Sequence, residues 1–439
     1  MTPPILIPWP TDHEARRAGV HEISVKWKRL RIRRWSMRAL WRVSGIPGCL
    51  EIPFVLAMGV LLLSGMPAHP LTAQGVGDRS PVPIPTILED AASMGLQPDS
   101  GALAGATDAR RDGPSADEAE EAEVLPVTFN LVGRLQLRHT FEDEGRAHHM
   151  GVHRARVIAS GDAYDRVGYF AQMALDNGEM RLLDLNVRVP VHPRMIVWVG
   201  QGKAPFGRQQ LTQGFLLHFV DRGIADRRFA PPRQQGVGAA GVLGDGLLEY
   251  GAGLFNGTGM NAPGNDNRRL MKVGRLVLTP RGRLPLMEGP VPAATGPNPS
   301  GTRFALGVAG LRNTEGAGVD QVVVSRANLE FALNRAPINV VSELFREWAE
   351  ANGGETTVTN AGYGQVGVLF AGGRQEVATR YSVVRPSLPG LQGRDEVGLA
   401  FSRYLEGHRM KVQSDVRQIR DRDLDHVRRE FRLQLTLIL

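Results

Sequence analysis

Apolar and polar residues alternate along the last nine positions of the chain. Phe431, Leu433, Leu435, Leu437 and Leu439 occupy every second position, and mainly polar residues lie between them. Alternation with a period of two predicts a β-strand that has one apolar face. In a closed barrel the last strand pairs with the first. We therefore expect this segment to be the closing strand of a barrel.

The first strongly patterned segment, residues 127–137, has the same texture. Phe129, Leu131, Leu135 and Leu137 alternate there with polar residues such as Arg134. We expect this segment to be the strand with which the last one pairs. Both patterns favour a closed barrel embedded in a membrane.

Short alternating stretches fill the sequence between these two segments, and turns separate them. The predicted hairpin turns are Gly161-Asp162, Gly244-Asp245-Gly246, Asn334-Arg335-Ala336-Pro337, Gly372-Gly373 and Glu406-Gly407-His408. The longer polar connections are residues 142–149, 257–267, 313–320, 351–360, 385–394 and 420–426. Alternation of short and long connections is typical of an outer-membrane barrel, and it predicts roughly sixteen strands. Residues 279–301 form a long connection where this pattern calls for a short turn.

The strand faces bear on whether the barrel is soluble or lies in a membrane. In residues 409–417, charged and polar side chains such as Lys411 and Asp415 oppose Val412 and Val416, and residues 326–333 and 338–348 behave alike. A soluble barrel would bury the apolar faces, and periodicity alone permits that. About sixteen strands, however, enclose a lumen too wide for side chains to fill. We therefore predict an all-β, antiparallel transmembrane barrel with water inside. A secreted or periplasmic β-sandwich binding protein is the competing interpretation.

The N-terminal part has the pattern of an export signal. A basic stretch precedes the apolar residues 52–63, and small residues follow. We predict a signal peptide over residues 1–73, with Met37 as an alternative start that leaves a signal of ordinary length. Residues 74–125 are acidic and rich in Pro, Gly and Ala, which predicts a disordered linker. The barrel domain is then residues 126–439.

The amino-acid composition limits the kinds of ligand and reaction that the chain can be expected to serve. The chain has 439 residues and a formal net charge of +7, and Lys203, Lys272 and Lys411 are the only lysines after residue 126. The basic residues of the barrel segment are thus almost all arginine, the planar donor suited to phosphate and carboxylate. The one cysteine, Cys49, falls in the predicted signal peptide. No catalytic motif is present, and scattered arginines with 6% aromatic residues argue against nucleic acid as a partner. We expect no cofactor, no metal and no enzymatic activity.

Several segments resemble the phosphate-selective porins O and P, a family of Gram-negative outer-membrane channels. The segments are His153-Arg154-Ala155-Arg156-Val157, residues 199–208 (VGQGKAPFGR), Phe219-Val220-Asp221-Arg222, Arg233-Gln234-Gln235-Gly236, residues 250–257 (YGAGLFNG) and residues 404–412 (YLEGHRMKV). They occur in the order that the family shows. The resemblance spans roughly residues 127–439.

The resemblance implies that the connection after Gly207 is a third loop that folds into the lumen and constricts the pore. Residues 206–231 suit that role, because they combine arginines with the apolar run Phe215-Leu216-Leu217. Arg154 and Arg156 lie two apart on a strand and so point the same way. The candidate pore or anion-binding residues are Arg154, Arg156, Lys203, Arg208, Arg222, Arg227, Arg228 and Arg233. The alternative is that they are solvated lumen charges paired with Asp221, Asp226 or Glu330.

The expected function is passive, anion-selective conduction across the outer membrane of a Gram-negative bacterium, with phosphate or polyphosphate as the candidate solutes. Rings of Arg and Lys that line a pore select anions. The expected partners are small anions and outer-membrane lipid, and the resemblance implies a homotrimer. A plugged structural barrel and the β-sandwich binding protein remain as alternatives.

Overall fold

The computed structural model describes residues 127–164, 166–291, 301–351, 354–387 and 393–439. The predicted signal peptide (residues 1–73) and the predicted linker (residues 74–125) lie outside the described residues. All of the described residues fall within the segment predicted to form the barrel.

The described residues form sixteen strands, which agrees with the predicted number. They are β1 (Asn130–Glu142), β2 (Ala147–Ala163), β3 (Val167–Ala174), β4 (Arg181–His192), β5 (Met195–Gly202), β6 (Gln234–Leu243), β7 (Leu248–Phe255), β8 (Met271–Leu278), β9 (Arg303–Glu315), β10 (Val322–Arg335), β11 (Ile338–Ala351), β12 (Thr356–Phe370), β13 (Gln375–Pro386), β14 (Arg394–Glu406), β15 (Met410–Asp421) and β16 (His426–Ile438). Two short helices, α1 (Arg208–Leu211) and α2 (Ile224–Phe229), lie between β5 and β6. Within the described ranges, no helix has the length and apolarity needed to cross a membrane.

The sheet is one closed antiparallel barrel. Each strand pairs with its neighbour along the chain, and β16 pairs with β1. At that seam Leu135 lies opposite Leu437, and Phe141 lies opposite Phe431. The predicted pairing of the first and last strands is confirmed, and a β-sandwich is excluded.

The strand faces follow the predicted alternation. In β16 the side chains of Arg432, Gln434 and Thr436 are buried inside the barrel, while Phe431 and Leu433 are exposed on its outer surface. An outer surface of this kind suits hydrocarbon, because an arginine there would cost about 2–4 kcal/mol at mid-depth. A one-residue slip of the strand would reverse both faces.

Most of the predicted turns are confirmed. Tight connections lie at residues 244–247, 336–337, 371–374 and 407–409. All four lie at the end of the barrel where β1 begins, at Asn130, and β16 ends, at Ile438. The longer connections lie at the opposite end. The exception predicted from the sequence, the link between β8 and β9, is long in the structure as well.

The hairpin predicted at Gly161-Asp162 is present, but its turn comes three residues later, because β2 continues to Ala163 and β3 begins at Val167. The glycine is needed there for close approach rather than for a turn. A Cβ atom on Gly161 would lie 1.9 Å from the carbonyl oxygen of Thr128, where the chain enters β1. The neighbouring Asp162 donates its backbone N–H to Oγ1 of Thr128 at 2.8 Å. A glycine in a strand can thus indicate the close approach of a neighbouring backbone instead of the turn itself.

Two connections enter the barrel interior. The first, residues 203–233, joins β5 to β6 and is called the inner loop. The second leaves β8, and its described part, residues 279–291, is called the strap. Both carry side chains that are almost fully buried, such as Phe206 and Leu284.

These connections fill part of the lumen with protein. Phe206 and Phe229 of the inner loop form one apolar cluster with Phe255 of β7 and Phe345 of β11. We expected water to fill the lumen, but on this side of the barrel the lumen is a packed apolar core. The inner loop also packs on the opposite part of the wall, because Leu216 shares a second apolar cluster with Val132 of β1.

Candidate functional site

The inner loop is anchored to the wall through Glu343 of β11. One carboxylate oxygen accepts the backbone N–H of Arg208 at 2.7 Å, and the other accepts that of Gln209 at 2.8 Å. The hydroxyl of Tyr363 donates to the same carboxylate at 2.7 Å. The first N–H groups of a helix have no partner within it, so Glu343 satisfies two such groups of α1. This contact fixes where the loop begins its path across the lumen.

A second anchor is Asp221, which three arginines of the wall surround. Its carboxylate lies 2.8 Å from Arg138, 3.0 Å from Arg154 and 3.2 Å from Arg432. Burial by itself would raise the pKa of Asp221, but these guanidinium groups hold it well below its usual range. Asp221 therefore stays ionised and ties the inner loop to β1, β2 and β16.

Between the inner loop and the wall formed by β1 to β4 lies a cavity of about 140 Å³, here called the basic cavity. Its lining residues are Arg134, Gln136, Arg154, Arg156, Gln172, Leu183, Lys203, Gln210, Gln213, Gly214, Arg222 and Arg233. Six of them are cationic, and this described lining includes no carboxylate side chain. An enclosed surface of one charge sign attracts counter-ions.

Carboxylates pair with two arginines of the cavity, Arg156 on β2 and Arg233 at the end of the inner loop. Arg156 contacts Asp176 at 2.8 Å, and Arg233 contacts Asp184 at 2.8 Å. A guanidinium has five N–H donors, so one carboxylate does not exhaust it. Nη1 of Arg156 is buried and has no hydrogen-bond partner among the described residues. The arrangement holds these guanidinium groups in place while donors remain for an anion.

Two other cations of the inner loop, Arg222 and Lys203, donate to backbone carbonyl groups. Arg222 donates to the carbonyl oxygens of Gln209 at 2.8 Å and Thr212 at 2.6 Å, at the C-terminal end of α1. Lys203 donates to the carbonyl oxygen of Leu211 at 3.0 Å. Carbonyl groups at a helix C-terminus favour cations. Arg222 and Lys203 thus shape the loop as well as charge the cavity.

The structure brings five of the eight predicted residues together in the basic cavity and separates the other three. The five are Arg154, Arg156, Lys203, Arg222 and Arg233.

The other three predicted residues contact different partners. Arg208 donates to the carbonyl oxygen of Pro285 in the strap at 2.6 Å. Arg228 makes a double contact with Glu347, at 2.6 and 3.2 Å, and Arg227 lies 4.0 Å from Glu396. Arg227 and Arg228 are therefore paired lumen charges, whereas Arg208 binds a carbonyl group. Of the partners named in the alternative, Asp221 pairs with Arg154 and Asp226 pairs with Arg222.

Arg134 also lines the basic cavity, although it was not among the predicted residues. It lies on β1 opposite Arg156, and its guanidinium carbon is 5.0 Å from the ring centre of Phe215. The alternation of β1 had already placed Arg134 on the polar face. The register between β1 and β2, which the sequence did not supply, is what adds it to the site.

The barrel segment matches one known protein family over most of its length. The family model for the phosphate-selective porins O and P matches residues 129–387, more than half of the chain. No curated protein sequence gives a significant match.

Among solved structures, the chain is similar to an anion-selective porin from Comamonas acidovorans, with 12% identity and a TM-score of 0.52 over 72% of this chain and 100% of that one. It is also similar to the outer-membrane channel DcaP of Acinetobacter baumannii, with 9% identity and a TM-score of 0.52 over 71% of this chain and 97% of that one. A loop-deletion mutant of OmpT, an outer-membrane protein of Vibrio cholerae, gives 12% identity and a TM-score of 0.52 over 71% and 99%. At these identities the likeness is one of fold.

Proposed function

Because the chain belongs to the phosphate-selective porin O and P family, we propose that it conducts small anions passively across the outer membrane, with phosphate or polyphosphate as the solutes that suit it best. The protein is an outer-membrane barrel of a Gram-negative bacterium, and its family and fold are those of non-enzymatic channels. The observation that carries the proposal is the basic cavity beside the inner loop.

The chemistry of the cavity supports anions over cations. Its six cationic side chains line one small space. A guanidinium group can donate two parallel hydrogen bonds to two oxygens of one phosphate. Conduction also requires release, so several modest sites serve better than one tight site. The carboxylates of Asp176, Asp184 and Asp221 moderate the positive potential from behind. A cationic cluster whose charge is partly offset in this way suits the passage of an anion rather than its tight binding.

The inner loop narrows the path, in this proposal. It packs against β7 to β12 in one apolar cluster and against β1 to β3 in another, through Phe215 and Leu216. Ions would pass between these contacts, where the basic cavity lies. Selectivity and constriction would then arise at the same level of the pore. Replacement of a cavity cation should alter both.

The test is an electrical recording of the purified protein in a planar bilayer. In a KCl gradient we expect a reversal potential of the sign that chloride permeation gives, and a cation-type potential would refute the proposal. Replacement of chloride by phosphate in single-channel recordings then ranks the two anions. A current that phosphate neither carries nor blocks would remove phosphate from the proposal but leave a general anion channel.

A plugged structural barrel is the second candidate, because the packed core favours it. Phe206 and Phe229 join the wall in one apolar cluster that fills part of the lumen. The same recordings separate the two functions, since a plugged barrel gives no single-channel steps.

We also propose a homotrimer, on the basis of the family. An unheated gel and chemical cross-linking in detergent would report the number of chains. A species of one chain only would refute this part of the proposal without bearing on conduction.

A further inference from the structure

The strap crosses the barrel at the end that carries the short turns. At its start, the backbone N–H of Thr279 donates to the carbonyl oxygen of Leu247, in the β6–β7 turn, at 2.7 Å. Near its end, Gly289 lies so close to the opposite wall that a Cβ atom there would be 2.3 Å from the hydroxyl oxygen of Tyr404 and 3.3 Å from Glu376. The strap therefore runs from β7 and β8 to β13 and β14.

The middle of the strap is packed inside the barrel. Leu284, Met287 and Glu288 are 3%, 4% and 2% exposed. Met287 belongs to an apolar cluster that contains Val132 of β1 and Ile438 of β16. A surface loop would keep such residues in water, so this connection is an internal part of the barrel.

Hydrogen bonds join the strap to the inner loop at three points. Arg208 donates to the carbonyl oxygen of Pro285 at 2.6 Å. The backbone N–H of Glu288 donates to the carbonyl oxygen of Leu216 at 2.9 Å, and the side chain of Glu288 accepts the backbone N–H of His218 at 2.7 Å. The two contacts of Glu288 bind adjacent parts of the inner loop. The strap thus supports the loop from the side opposite the long outer loops.

We infer that the strap is a second pore-restricting element, which enters the lumen from the end with the short turns. It closes the part of the mouth next to β13 to β16 and braces the inner loop, so that ions must pass the basic cavity. No strap residue lines that cavity as the described residues define it. The inference rests on the proposed channel function and adds a determinant of its conductance and selectivity.

The decisive variant replaces residues 280–302 by an Asn-Gly turn, which suits a two-residue hairpin. Single-channel conductance should rise at least about twofold, since the strap no longer obstructs the mouth of a lumen this wide. The preference for anions should fall, because ions gain a route that bypasses the basic cavity. The matched control rewrites the turn at residues 371–374 as Asn-Gly, because this turn lies at the same end and is largely exposed.

Conductance that stays at the wild-type value in the strap deletion would overturn the inference. That outcome is distinct from failure of the proposed function, which would appear as absent channels or cation preference in the wild-type protein.

Point variants decide the matter where the deletion does not assemble. Glu288→Ala removes the side-chain contact with His218 and should raise conductance and open-channel noise, whereas Glu288→Gln keeps an acceptor oxygen and should restore wild-type behaviour. Glu355→Ala removes an exposed carboxylate in another connection and serves as the control. Equal conductance and noise in Glu288→Ala and Glu355→Ala would overturn the inference.

Discussion

The carboxylate of Asp221, in the inner loop, lies 3.2 Å from Nη1 of Arg432, on the last strand of the barrel. Arg432 also makes a double contact with Asp415 at 2.7 Å for each nitrogen. The inner loop is therefore tied by charge to the strand that closes the barrel. This tie links the placement of the loop to the integrity of the seam.

Asp221→Asn should destabilise the barrel, because three arginines would lose their shared carboxylate. Removal of one partner from a largely buried ion cluster costs about 3 kcal/mol. Urea unfolding in lipid vesicles measures the change in the free energy of unfolding. Asp425→Asn is the control, since Asp425 pairs with Arg420 on the surface, and such pairs are worth about 0–1 kcal/mol. Equal losses in the two variants would show that Asp221 is not a structural tie.

Arg222→Ala should lower the anion preference more than Arg335→Ala. Arg222 lines the basic cavity, whereas Arg335 is exposed at the end of β10. A unit charge at 4 Å is worth about 1 kcal/mol in water, so we expect roughly a twofold to fivefold loss in the permeability ratio for Arg222→Ala. Reversal potentials in a salt gradient give that ratio. Similar ratios in the two variants would remove Arg222 from the selectivity mechanism.

Anion preference should rise as the pH falls from about 7 to about 5, a range set by one buried carboxyl group. Burial raises the pKa of Asp226 in the inner loop to about 6, despite the nearby Arg222 and Lys203. Below that pH the group becomes neutral and stops offsetting the cavity cations. The carboxyl groups of Glu288 and Glu343 also face it.

The raised pKa of Asp226 also determines how the stability of the folded protein changes with pH. A carboxyl group whose pKa is higher in the folded protein contributes stability below its unfolded pKa and loses it as the pH rises through about 6. Asp226→Asn should remove both the rise in anion preference and this dependence of stability on pH. A variant that keeps the full pH response would assign it to another group.

Glu343→Ala should release the start of the inner loop, because the backbone N–H groups of Arg208 and Gln209 lose their acceptor. Unpaired buried donors cost about 1–3 kcal/mol each, which favours a displaced loop. Larger and noisier single-channel currents are the expected result. Glu350→Ala is the control on the same strand, since that side chain is exposed. Currents like those of the control would mean that the loop is held elsewhere.

Period-two alternation of residues was enough to predict the barrel and the orientation of most strands, and the alternation of short and long connections predicted the strand number. Arg432 and Leu433, for example, face opposite sides of β16 as their positions predict. Alternation works here because water and hydrocarbon lie on the two sides of the wall and penalise a wrong face.

Contacts between segments that lie far apart in the chain could not be predicted from the local sequence pattern. Arg208 was predicted to line the pore, yet it binds Pro285 of a connection 77 residues away. Gly161 was assigned to a turn because glycine is common in turns, whereas its role depends on the close approach of the Thr128 backbone beside it. Arg134 joins the site only through its register opposite Arg156. In each case the deciding neighbour lies far along the chain.

Pairing of β1 with β16 has a consequence for assembly. The two strands are separated by nearly the whole barrel segment, and they meet through nine paired positions, from Arg134 with Ile438 to Glu142 with Glu430. Every partly built sheet therefore carries two bare edges that could capture another chain. Contacts at such separations also form slowly. The protein should thus depend on an assembly factor that shields those edges until the barrel closes.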